Sequence, residues 1–269
     1  RAVVSANPTG QKGDLVTVGW QPLGCEATVI ENGFADVYLE VTPPMASDME
    51  VGGLNDVSFL VPVDDVAAAA GFTAEVTLTV TLAYQGRSSV PILASDPKLI
   101  FAVDNDVVVV SDTGVVSALK EGSATISVGY SGQTVSQQLT IQVIKFDRLE
   151  VYAKPEPPYG SSMSKITKLS ALACTSPKQW QQAKLSTVMV LTGDFDASLS
   201  RKDISSFSQT SYALSSDNVL GINGRVLTRT DGGNAGDVEV DVTASFEAVL
   251  DGNYQKKTSN TLTMSVLAS

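Results

Sequence analysis

Histidine is absent from this chain of 269 residues. That removes His-based triads, Cys-His dyads and every His-containing zinc site. Cysteine occurs twice, at Cys25 and Cys174, too few for a four-cysteine zinc site. The two fall in different parts of the chain, so a disulfide within one domain is not expected, and the redox compartment stays open. Charged residues are scarce at 17%, and the formal charge is −11. With no basic stripe to displace counterions from phosphates, nucleic acid is excluded as a partner, and so is docking to an anionic membrane. No apolar run approaches the roughly 18 residues of a membrane span. The longest candidate, Val66 to Phe72, is mostly alanine. No Gly-x-x-x-x-Gly-Lys-Ser/Thr occurs, which excludes a P-loop.

What is present is a β-forming composition. Ser, Thr, Val, Gly and Asn dominate, and the hydrophobic fraction of 43% suits a globular protein. The length allows two domains or three small ones. The stretch Leu99 to Val143 is the most legible. Val107 to Val110 form a continuous apolar run, as in a strand covered on both faces. Ser111-Asp112-Thr113-Gly114 is turn chemistry, in which Asp can bond the turn backbone and Gly accepts positive φ. Ala124, Ile126, Val128 and Tyr130 then alternate inward against Ser123, Thr125 and Ser127. A Ser131-Gly132 turn leads to a second alternating run with Leu139, Ile141 and Val143 inward, so the stretch predicts an antiparallel sheet with one wet face. Its Asp104-Asn105-Asp106 cluster, the Thr113-Gly114-Val115-Val116 turn and Leu119-Lys120-Glu121-Gly122-Ser123-Ala124-Thr125-Ile126 resemble the C-terminal half of a bacterial Ig-like domain of group 2. That module builds invasin- and intimin-type surface proteins.

Internal repetition extends the reading along the chain. A glycine followed by apolar residues at every second position appears at Gly33 (Ala35, Val37, Leu39, Val41), at Gly122, and at Gly236 (Val238, Val240, Val242). Met49-Glu50-Val51 and Leu149-Glu150-Val151 lie 100 residues apart. Phe101-Ala102-Val103 with Gly114-Val115-Val116 corresponds to Tyr212-Ala213-Leu214 with Gly224-Arg225-Val226. We therefore expect an all-β chain of tandem immunoglobulin-like β-sandwiches. Residues 1–48 would form the C-terminal half of one module, 49–144 a second module, and 145–269 a third with longer loops. Both Gly114 and Gly224 are expected at positive φ in matching hairpins.

Within this frame, Leu15 to Trp20 and Ala35 to Val41 read as strands of the first module, stopped by Thr42-Pro43-Pro44. Val57 to Val63 reads as the opening strand of the second. Val76, Leu78, Val80, Leu82 and Tyr84 form the longest clean alternation, with Thr77, Thr79 and Thr81 outward. Asp65 to Gly71 is either one helical turn or a packed loop. In the third module Pro155, Pro157 and Pro158 make an extended entry. Leu169 to Cys174, Leu185 to Leu191, Val238 to Phe246 and Leu262 to Val266 read as strands there. The start at Arg1 suggests a piece of a longer or processed protein.

Candidate chemistry is sparse. Most of the 29 acidic residues fall at turns or at outward strand positions such as Asp237, Glu239 and Asp241, which reads as solvated surface. Glycosidase-type carboxylate pairs come from distant strands and leave no local spacing to read. The calcium candidates are Asp104-Asn105-Asp106 with Asp112, and the glycine-rich loop Asp231 to Asp237. No EF-hand spacing accompanies them, and the first is equally an ordinary turn cluster, so no metal or other cofactor is expected. Trp20 ends an alternating run and reads as core. Trp180, among Lys178, Gln179, Gln181 and Gln182, reads as a candidate exposed aromatic for a sugar or protein partner. The resemblance implies a non-catalytic extracellular or cell-surface segment, a stalk, adhesin or filament subunit, contacting neighbouring Ig-like modules or copies of itself. The other readings are a module binding a glycan or protein, and an accessory domain of a secreted enzyme.

Overall fold

The computed structural model describes residues 45–86, 88–158, 165–172, 179–193, 195–230 and 237–267. The chain runs β1 (Asp48–Gly52), α1 (Val66–Ala69), β2 (Glu75–Thr77), β3 (Thr79–Ala83), β4 (Val90–Ile92), β5 (Leu99–Val103), β6 (Val108–Val110), β7 (Val115–Ala118), β8 (Gly122–Tyr130) and β9 (Ser136–Val143). It continues with β10 (Phe146–Glu156), β11 (Lys168–Leu169), β12 (Gln182–Leu191), α2 (Ala197–Ser200), β13 (Arg201–Asp203), β14 (Thr210–Leu214), β15 (Leu220–Asn223), β16 (Val226–Arg229), β17 (Val238–Leu250), β18 (Asn253–Thr258) and β19 (Leu262–Val266).

One pairing scheme occurs twice. In the amino-terminal sandwich β1 pairs β3, β3 pairs β4, and β2 pairs β7, which pairs β6. The facing sheet is β5-β8-β9. In the carboxy-terminal sandwich β10 takes the place of β1, and the single strand β12 takes that of β2 and β3 together. There β12 pairs β10, β13 and β16, and the facing sheet is β14-β17-β19. A parallel contact closes each facing sheet: Leu60 with Val143, and β11 with β19. Antiparallel pairing of this kind around one core per unit is the immunoglobulin-like β-sandwich. The all-β expectation holds.

The alternations read from the sequence face as anticipated. Leu78, Val80, Leu82 and Tyr84 are buried, as are Ala124, Ile126, Val128, Ile141 and Val143. Gly114 and Gly224 have φ of 71° and 60°, in the β6–β7 and β15–β16 hairpins. Four readings need correction. The opening strand is Asp48–Gly52, and Val57 to Val63 contributes only the Leu60 bridge. Val109 is 48% exposed, because β6 is a sheet edge whose second face meets solvent. In the Ser111 turn the Ser111 hydroxyl, not Asp112, accepts from the backbone, at 3.3 Å from Thr113 N and 3.1 Å from Val115 N. Of Leu169 to Cys174, only Leu169 and the Ala171 bridge pair among the described residues. Trp20, both cysteines, the Gly33 repeat and the loop 231–236 lie outside the described residues.

Candidate functional site

Three apolar clusters hold the chain together, one inside each sandwich and a third between them. The third is built from the segment Phe59 to Ala74. Asp65 caps α1, its carboxylate accepting from Ala67 N at 2.8 Å, and the alanines that follow favour helix. One turn later Gly71, at φ 80°, ends the helix. That turn buries Val66, Ala67 and Ala70 completely. The open choice at Asp65 to Gly71 thus resolves as a helical turn.

Opposite it stand Leu149, Met189, Leu191, Ile204, Phe246 and Ala248 of the carboxy-terminal sandwich, all buried. Aromatic rings fill the seam. Phe59 meets Phe195 at 5.1 Å between centroids, and Phe207 meets Phe246 at 6.4 Å. Six of the eight phenylalanines in the chain belong to this seam: Phe59, Phe72, Phe146, Phe195, Phe207 and Phe246. Tilted ring pairs at such separations add to the area they bury.

Only Ile144 and Lys145 separate β9 from β10. Ile144 is buried, and its N–H donates to Leu60 O at 2.9 Å. Lys145 exchanges backbone bonds with Thr192, donating to its hydroxyl at 3.1 Å and accepting from its N–H at 2.8 Å. Glu121, in the β7–β8 turn, receives the Thr192 hydroxyl at 2.9 Å and the Lys145 ammonium at 2.7 Å. Those two donors hold the Glu121 carboxyl below its usual range, Lys145 first, and Glu121 in turn raises Lys145. More bonds cross the seam. Asp65 Oδ2 accepts from Phe146 N at 3.2 Å, Lys202 donates to Gly71 O at 2.8 Å, and Gln255 donates to Asp64 O at 2.7 Å. Lys202 also lies over the Phe72 ring, and Lys257 over that of Phe146. The arrangement is mechanical: a short link, an apolar plug and a rim of polar ties.

The candidate residues read from the sequence serve local structure instead. Asp104 accepts from Thr125 N, Asn105 bridges Val107 N and Ser123 O, and Asp106 pairs with Lys120, which lowers its carboxyl. Asp112 sits apart in the β6–β7 turn. Among the described residues no group of three or more acidic side chains is placed to hold a metal ion. Trp180 is half-buried rather than exposed, its ring covered by the Arg229 guanidinium at 3.7 Å. The seam itself was missed in the sequence. Its signal was there, in an Asp-capped alanine run ended by glycine and in phenylalanines recurring near module ends.

No family model matches this chain, and no curated protein matches it. Among solved structures it is similar to the S-layer protein rSbsC(31-844), at 13% identity and a TM-score of 0.45 over 86% of this chain and 29% of that one. It is similar to domains 4 and 5 of the S-layer protein SbsC, at 15% identity and a TM-score of 0.40 over 83% of this chain and all of that one. Human protocadherin-24 EC1-2 matches at 12% identity and a TM-score of 0.30, over 84% of this chain and 99% of that one. The chain thus spans less than a third of the length of the longer S-layer protein, and at these identities the likeness concerns fold alone.

Proposed function

We propose that this chain is a non-catalytic structural or adhesive segment of an extracellular tandem array, with modules at 1–48, 49–144 and 145–269. The seam is the observation that carries the reading. Sandwiches in series move relative to one another by default unless their interface is large and hydrophobic. Here a two-residue link, a buried helical turn and a phenylalanine cluster oppose that motion, and no metal ligand is needed to stiffen the link. A segment of this kind transmits position and load along a surface stalk or filament, with neighbouring modules or further copies as its partners. In the first module, Val37, Leu39 and Val41 need a facing sheet that residues 1–48 are too few to supply. On this reading preceding residues or a neighbouring chain complete it.

The test is a distance distribution. Cys25 and Cys174 are replaced by serine, and spin labels are placed at exposed Thr113 and Asp217. Pulsed dipolar spectroscopy is expected to return one narrow distance, broadened by Val66→Asp. A broad distribution in the parent protein would sink the proposal.

A further inference from the structure

On the outward face of the carboxy-terminal sandwich, cations stand side by side. Lys154 of β10 and Lys184 of β12 are direct register partners. The next position across the sheet belongs to the start of β16, where Arg225 O accepts from Leu185 N at 2.7 Å. Lys154, Lys184 and Arg225 thus form a row over three adjacent strands, each step about 5 Å. They line one open cleft of about 360 Å³, together with Pro155, Ser186 and Asp203. A fourth cation adjoins them. Lys165 and Lys154 share the ring of Tyr152, at 4.6 and 5.2 Å from its centroid.

Like charges directly opposed across an antiparallel pair destabilise a sheet. The counter-charge in the cleft is meagre. Glu156 reaches Lys184 only at 3.9 Å, and the Asp203 carboxylate is occupied by the N–H and hydroxyl of Ser205. Arg225 has no carboxylate within ion-pairing distance among the described residues. Nor does the chain's net charge repel anions from this face. Residues 145–269 hold 13 basic and 13 acidic side chains, so the whole −11 lies in residues 1–144.

We infer that this cleft binds a linear acidic polysaccharide, its carboxylates meeting Lys154, Lys184 and Arg225 in turn, with Tyr152 and Ser186 contacting the sugar rings. The row is too short for a nucleic-acid duplex, and a tyrosine, a hydroxyl and a proline among the cations suit a polyhydroxy chain. The site belongs to the surface of one sandwich and does not depend on the seam or on the array.

Calorimetric titration of the full chain with an oligogalacturonate tests it. Saturable binding is expected, weakened by salt, and at least about tenfold weaker in Lys154→Gln with Arg225→Gln. Without ligand, Lys154→Gln is expected to raise the melting temperature, because it relieves the opposed pair. With oligogalacturonate, the parent protein is expected to gain stability and the double variant none. Binding of polyphosphate or polyglutamate with no oligogalacturonate binding would overturn the saccharide assignment. No binding of any of the three, or binding unchanged in the double variant, would overturn the site. A fall in melting temperature for Lys154→Gln would refute the view that the opposed lysines cost stability.

Discussion

Two glycines in equivalent hairpins show what a single position decides. Gly114 and Gly224 share left-handed backbone, yet their surroundings differ. A Cβ on Gly114 would lie 3.0 Å from Ala94 Cβ and 3.5 Å from the Phe101 ring, whereas one on Gly224 meets nothing within 4 Å. The left-handed cost is about 1–2 kcal/mol for an ordinary residue, and Asn bears it best. We therefore expect Gly224→Asn to leave thermal stability nearly unchanged. Gly114→Asn should lower it measurably, and Gly114→Val more, through crowding added to strain. Equal effects of the Asn substitutions in thermal melts would refute the distinction. Both glycines were legible from turn chemistry and repeat spacing. The crowding at Gly114 was not, because Ala94 comes from another loop. The polar clusters follow the same rule: Asp104-Asn105-Asp106 announces a turn, but its partners Ser123 and Thr125 are set by strand register.

At the scale of elements, alternation was read correctly wherever one face is wet and the other dry, as in β3, β8 and β17. It misled where a strand lies at an edge. Val107 to Val110 looks doubly covered by composition, yet edge position leaves Val109 in solvent. Val57 to Val63 looks like a strand because it is apolar, but its apolar groups serve two clusters. Leu60 belongs to the sandwich core, Phe59 and Val61 to the seam. No periodicity reveals such a division. The repeat also conceals a difference in length, since β17 spans 13 residues where its counterpart β8 spans 9. The extension carries Ala248 into the seam, and β18 returns with Gln255 bonded to Asp64 O. An exposed neutral hydrogen bond contributes about 0.5–1.5 kcal/mol, so Gln255→Ala is expected to be mild. Ala248→Glu places a charge in an apolar cluster and should unseat α1. Hydrogen exchange is then expected to accelerate at the Ala70 amide, which bonds Val66 O, while Ile126 keeps its protection. Equal protection at Ala70 in parent and variant would show that the β17–β18 hairpin does not brace the helix.

For the whole molecule, the seam makes coupling between the sandwiches sensitive to acid. Glu121 ties them through Lys145 and Thr192, and its carboxyl is depressed by those donors. A depressed carboxylate contributes stability that is present above the unfolded value, near 4.5, and is lost as pH falls through the folded value. Glu150 is depressed as well, by Arg201 first and then by burial-opposed contact with Arg148, but it lies within the carboxy-terminal sandwich. The two residues therefore separate coupling from local stability. Near neutral pH we expect the described sandwiches to unfold in one cooperative transition, because the buried seam must open with either of them. As pH drops below about 4.5 that transition should divide in two, the tie at Glu121 being lost before the apolar plug gives way. Glu121→Gln keeps an acceptor for the Thr192 hydroxyl but not the charge for Lys145. It should show partial division already at neutral pH and little further change on acidification. Glu150→Gln should instead lower the carboxy-terminal transition and leave the pH at which the division appears where it was. Calorimetric scans of the three proteins across this range decide the matter, and a division that follows Glu150 rather than Glu121 would place the acid-sensitive tie inside one sandwich instead of between the two.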